Sequence, residues 1–192
     1  MPNDIDLDEA GRCLARARRI AVAGVSGAGK STLSQAIAER LGLRYISLDR
    51  DMRWLPGWQV RPRAQQRLRH DGFVAEENWV IDGTSIGMMD TRLPRADLLI
   101  WLRMPRRVAL AGIARRVITS HGRTRPDMAP GCPEQLPDRE FLTWIWTFER
   151  RQAPRLLATL DRVAPALPVA TLRSHRDAAR LLAHLDGKSP RR

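Results

Sequence analysis

Gly24-Val25-Ser26-Gly27-Ala28-Gly29-Lys30-Ser31 is a complete match to the phosphate-binding loop pattern G-x-x-x-x-G-K-[ST]. The pattern predicts a nucleoside triphosphate with Mg²⁺ as ligand, because backbone N–H groups and a helix N-terminus converge on phosphate oxygens in such a loop. Lys30 is expected to reach the β- and γ-phosphates and the Ser31 hydroxyl to ligate the metal. Gly24, Ser26, Gly27, Ala28, Gly29 and Thr32 complete the expected ATP-binding segment. The flanks agree with the motif. Arg19-Ile20-Ala21-Val22-Ala23 reads as a buried parallel strand, and Ser31 to Leu41 carries Leu33, Ile37 and Leu41 at helical spacing before Gly42. Among 33 basic residues only Lys30 and Lys188 are lysines, so a compact ammonium at position 30 contrasts with a chain that otherwise uses arginine.

Outward from the loop, strands and helices alternate. Arg44–Leu48 reads as a second strand ending at Asp49, a helix is expected over residues 62–77, and Trp79–Ile81 is a third strand ending in Asp82-Gly83. Asp97–Leu102 is a fourth strand, followed by a helix from Pro105 to about Ser120, and Pro168–Leu172 is a fifth. Residues 1–18 read as a short N-terminal helix, 174–186 as the closing helix and 188–192 as a disordered tail. The alternation predicts one α/β domain over 1–187, a three-layer fold on a five-stranded parallel sheet. Residues 121–137 hold four prolines and two glycines, which excludes regular structure and suggests a short lid.

Ligands of such sheets bind outside the carboxyl ends of the strands. Asp82 at one strand end is a candidate to contact Mg²⁺ with Ser31, directly or through water, and Asp49 at another is a candidate for positioning an acceptor hydroxyl or a metal-bound water. Arg115, Arg116, Arg123 and Arg125 lie in or just before the lid, where cations would steady charge on a transferring phosphoryl group. Arg173, after the fifth strand, is assigned to the ATP side, and Trp54 and Gly83 to the substrate side. Trp79, Trp101 and Trp144 sit in core-like patterns, whereas Trp54 and Trp58 lie in a Pro/Gly loop.

The bulk properties narrow the setting. A net charge of +12 suits either nucleic acid or a site handling several phosphates, and the chain carries no zinc-finger signature. No apolar run approaches the roughly 20 residues of a membrane span. The N-terminal stretch lacks a signal-peptide pattern, and Cys13 and Cys132 lack metal-type spacing. Two free thiols, a cytoplasmic location and a monomer or dimer are the expectation.

Several segments together resemble the bacterial DNA topology modulation protein family (FlaR-type): the loop, Ser47-Leu-Asp-Arg-Asp with Trp54-Leu-Pro-Gly-Trp58, Trp79-Val-Ile-Asp-Gly-Thr84, Gly122 to Glu134, and Glu140 to Trp146. That family is similar to adenylate-kinase-like P-loop kinases. The resemblance covers roughly residues 19–175 and implies a nucleoside/nucleotide kinase fold with a lid between the fourth and fifth strands. It implies that Arg92 contacts a substrate phosphate and that Arg115 and Arg116 are lid-hinge arginines. The chain has no Gly-Phe-Pro-Arg segment after Gly83 and no cysteine metal site in the lid, which argues against AMP as acceptor. Three functions follow as expectations: an ATP-dependent kinase acting on a small molecule such as a nucleotide or nucleoside, a DNA-associated protein regulated by ATP, and a nucleotide-binding protein without catalysis.

Overall fold

The computed structural model describes residues 3–186, so the tail expected at 188–192 lies outside the described residues. Parallel strands form at β1 (Asn3–Ile5) and, from the apolar runs, at β2 (Arg19–Gly24), β3 (Arg44–Ser47), β6 (Trp79–Asp82), β7 (Leu98–Leu102) and β8 (Pro168–Leu172). They pair in the order β1-β8-β7-β2-β6-β3, while β4 (Trp54–Leu55) and β5 (Gln59–Val60) make a separate hairpin. The helices are α1 (Leu7–Leu14), α2 (Lys30–Leu41), α3 (Arg63–Ala75), α4 (Met89–Arg92), α5 (Arg106–Ser120), α6 (Arg139–Val163) and α7 (His175–Ala183).

Alternation along β2 explains the layers. Ile20 and Val22 face a core shared with α1, α2, α5 and α7, while Ala21 and Ala23 face one shared with α3 and α4. The long α6 contributes Ile145 and Phe148 to the first core and Leu156 and Leu160 to the second, and Pro154 does not end it. Trp79 and Trp101 are buried, and Trp144 packs against the first core.

The sheet has six strands rather than the expected five. The extra strand, β1, occupies part of the segment expected to be wholly helical. Its residues are mostly exposed, so no hydrophobic alternation marks it. Main-chain pairing with β8 holds it, aided by the Thr171 hydroxyl donating to Asp4 Oδ1 at 2.8 Å. Residues 121–137 contain turns and two isolated bridges, His121 with Glu134 and Thr124 with Pro133.

Candidate active site

Central β2 delivers the loop to the carboxyl edge of the sheet, flanked by β6 and β7. Gly29 caps α2 with φ 91°, and no side chain caps this end. The first N–H groups of the helix are therefore open to an anion. Gly27, at φ 81°, packs so closely on α5 that a Cβ there would lie 2.2 Å from the Ala109 carbonyl. Gly112 answers from the helix, with an imagined Cβ 2.1 Å from the Gly27 carbonyl. This two-glycine contact lets α5 lie directly on the loop. Lys30 folds back and its Nζ donates to the Val25 carbonyl at 3.1 Å.

Asp82 ends β6 against that loop. Its Oδ2 accepts from Ser31 Oγ at 2.6 Å and from the Tyr45 hydroxyl at 3.3 Å. Its Oδ1 is buried with no partner among the described residues. Burial pushes the Asp82 pKa up, helped by the like charges of Asp49 and Asp127, while Lys30 and the Ser31 hydrogen bond pull it down. The same burial, with Asp82 nearby, pushes the Tyr45 phenol beyond the usual tyrosine range. A buried carboxylate oxygen without a donor beside a hydroxyl is a hard-oxygen pair suited to Mg²⁺. No group of three or more His, Cys, Asp and Glu side chains among the described residues could hold a metal, so phosphate oxygens and water would complete the set.

Around this centre the expected residues separate. After β3 the chain makes a π-turn, Leu48–Arg53. Asp51 is consumed there, accepting from the Ser47 N–H and from Arg50. Asp49 is exposed, and its carboxylate makes no hydrogen bond among the described residues. Gly83 follows Asp82, and Thr84 then both accepts from the Gly24 N–H (2.7 Å) and donates to the Gly24 carbonyl (2.8 Å). Thr32 is exposed on the first turn of α2.

Arg92 departs from expectation. It is fully buried, its Nη2 donates to the Gly83 carbonyl at 2.9 Å, and its Nε and Nη1 have no hydrogen-bond partner among the described residues. Burial pulls its pKa down to about 10. In this conformation it buttresses the Gly83 turn and presents no surface to a substrate phosphate.

The arginines in and just before residues 121–137 also divide. Arg116 donates to Glu134 at 2.8 Å and to Ser26 Oγ at 3.3 Å, and Arg125 donates to Glu134 at 2.9 Å and to Asp127. Arg115 and Arg123 are exposed, and their side chains make no hydrogen bond or ion pair among the described residues, so the structure does not draw them to the loop as it does Arg116. Arg173 lies on a cleft of about 350 Å³ with Val25, Arg103, Arg106, Trp146 and Glu149.

Trp54 and Trp58 pack with Met128, Ala129 and Cys132 of residues 121–137. The Trp58 indole donates to the Pro133 carbonyl at 3.1 Å, and the Ser47 hydroxyl donates to the Asp127 carbonyl at 2.9 Å. Cys13 and Cys132 are free thiols. Tyr45, Thr84, Gly112 and Glu134 are the residues that sequence reasoning missed. Of these, Thr84 and Glu134 fall inside quoted motifs, whereas Tyr45 and Gly112 carry no local signal.

The geometry can be set beside known proteins. The chain is 25% identical over 134 residues to the uncharacterised protein YqaC of Bacillus subtilis (strain 168), covering 69% of this chain and 73% of YqaC. It is 31% identical over 114 residues to a cytidylate kinase of Pyrococcus horikoshii, covering 50% of this chain and 56% of that enzyme. The structure of a shikimate kinase from Acinetobacter baumannii in complex with shikimate superposes with a TM-score of 0.57 at 15% identity, covering 91% of this chain and 94% of that one. That likeness shows a three-layer P-loop kinase fold. The model of the AAA domain family matches residues 20–125, more than half of the chain, from the first strand of the loop through Asp49 and Asp82 to Arg125. The chain therefore belongs to the AAA domain family, on a P-loop kinase fold.

Proposed function

We propose that the protein is an ATP-dependent phosphotransferase that moves the γ-phosphoryl group to a small-molecule acceptor, a nucleotide or nucleoside. The observation that carries this reading is the Ser31–Asp82 pair, with one buried Asp82 oxygen lacking a donor beside the loop and Lys30. Ser31 and Asp82 would hold Mg²⁺, directly or through water. When bound, the ion neutralises charge on the β- and γ-phosphate oxygens. Lys30 leaves the Val25 carbonyl for the phosphates, and Arg116 and Arg125 bring positive charge from the lid.

Asp49 orients the acceptor: the hydroxyl of a nucleoside gives its proton to this carboxylate, whereas a nucleotide attacks through an already ionised phosphate oxygen. The acceptor oxygen bonds to the γ-phosphorus as the bond from that phosphorus to the β,γ-bridging oxygen breaks, and ADP leaves with the electron pair. The identity to a cytidylate kinase supports a nucleotide or nucleoside acceptor. The test is acceptor-dependent ADP release from ATP across nucleosides, nucleotides and small polyols. Lys30→Ala is expected to lower turnover by about 10²-fold or more with the fold intact. Undiminished turnover in that variant would overturn the reading.

An ATP-regulated association with DNA is supported by the net charge of +12 and the FlaR-type resemblance. Part of that charge is already paired, as at Arg19 with Asp97, Arg103 with Glu149, and Arg116 and Arg125 with Glu134. A steep fall of duplex affinity with salt is the signature that would favour it.

A further inference from the structure

Glu134 has no part in the reading above, yet it is only 5% exposed and takes a hydrogen bond from each of two arginines. Its Oε1 accepts from Arg116 Nε at 2.8 Å and its Oε2 from Arg125 Nε at 2.9 Å. Arg116 continues to Ser26 on the phosphate-binding loop, so the cluster stands at the mouth of the loop. Two guanidiniums this close repel. Burial pulls the Arg116 pKa down, Arg125 pulls it further, and the Glu134 charge opposes both. A shared carboxylate allows the pair to stand side by side.

Each guanidinium bonds through Nε and Nη1 and keeps an Nη2 amine that is neither buried nor hydrogen-bonded among the described residues. The shape of the lid at this point depends on the main chain. The Gly122 N–H donates to the Glu134 carbonyl at 3.0 Å, and the Glu134 N–H to the Arg123 carbonyl at 3.0 Å. Those bonds survive a change of side chain.

We propose that Glu134 is a positioning residue that holds Arg116 and Arg125 as a preformed pair, with their free Nη2 amines available to the terminal phosphate of the donor nucleotide. The inference rests on the donor site proposed above. The test compares Mg²⁺-ADP with a non-hydrolysable Mg²⁺-ATP analogue by calorimetry, in the full chain and in Glu134→Gln. The full chain is expected to bind the analogue more tightly than ADP. In Glu134→Gln that preference should fall by about tenfold, the weight of a charge-assisted contact, with ADP affinity within roughly twofold. Arg125→Lys, which leaves Glu134 in place, should lose the preference in the same direction and serves if Glu134→Gln does not fold.

An unchanged preference in both variants would overturn the inference. So would an equal loss for both ligands together with faster tryptic cleavage after Arg123, which would mark Glu134 as a lid tether only. Failure of the unaltered chain to bind either nucleotide would instead overturn the donor-site reading, and this inference with it.

Discussion

The hydroxyl of Thr84 satisfies both main-chain groups of Gly24, joining the start of the phosphate-binding loop to the turn after β6. Thr84→Val keeps the shape and removes both bonds, stranding a part-buried donor and acceptor. The expected cost is about 2 kcal/mol, a fall of roughly 4–8 °C in Tm. Thr84→Ser should recover most of it, and a thermal scan showing no difference between the two variants would refute the clamp. Asp49 and Asp51 show the limit of reading single residues. Both carboxylates lie in the Ser-Leu-Asp-Arg-Asp segment, yet the π-turn gives Asp51 to the Ser47 N–H and Arg50 while the Asp49 carboxylate makes no hydrogen bond among the described residues. Its place at the end of a strand marked Asp49 in the sequence, and the fold of the turn shows why Asp51 is taken up by the backbone and Arg50.

The β4–β5 hairpin and residues 121–137 behave as one element in packing terms. Trp54, Trp58, Met128, Ala129 and Cys132 form a cluster separate from the two cores of the sheet. The Gly57 N–H to Gly131 carbonyl bond, at 3.0 Å, and the Trp58 indole bond to Pro133 reinforce it. Local opening of such a satellite cluster is governed by its own few contacts. Trp58→Ala is expected to speed tryptic cleavage after Arg123 by roughly tenfold, equivalent to about 1.4 kcal/mol of lost docking, with little change in global Tm. Cleavage at the unaltered rate would show that the cluster does not hold residues 121–137 in place. The prolines and glycines of 121–137 made the irregular segment legible. Its docking partner was not legible, because contacts between segments so distant in sequence leave no periodic trace.

At the scale of the whole molecule, His70 is a buried titratable group away from the loop. Its Nδ1 lies 3.3 Å from Thr91 Oγ1 and 3.4 Å from Asp71 Oδ1, and its Nε2 is buried with no hydrogen-bond partner among the described residues. Burial, with the nearby Arg92 charge, pulls its pKa down to about 4, against the pull of Asp71 toward the charged form. The unfolded chain therefore binds a proton that the folded chain refuses between the ordinary value of 6.5 and about 4. Stability from this site is complete above that window and falls as pH drops through it, by on the order of 3 kcal/mol. Urea unfolding at steps from pH 7 to 4.5 checks this. His70→Gln should flatten the slope, and an equally steep slope in that variant would assign the effect elsewhere.

The sequence by itself determined the phosphate-binding loop, the strand–loop–helix unit around it and the parallel α/β plan, because each is written in glycine placement and short-range apolar periodicity. It did not reveal β1, which has no buried face to pattern its residues and depends on β8 for its pairing. Only the tertiary structure decided which cations are already paired. Arg116 and Arg125 are shared by Glu134, Arg92 is sealed beneath Gly83, and Arg115 and Arg123 stand exposed. Arginines look alike in a sequence. What a charge can do depends on its desolvation and on the nearest opposite charge, and both are set by long-range packing.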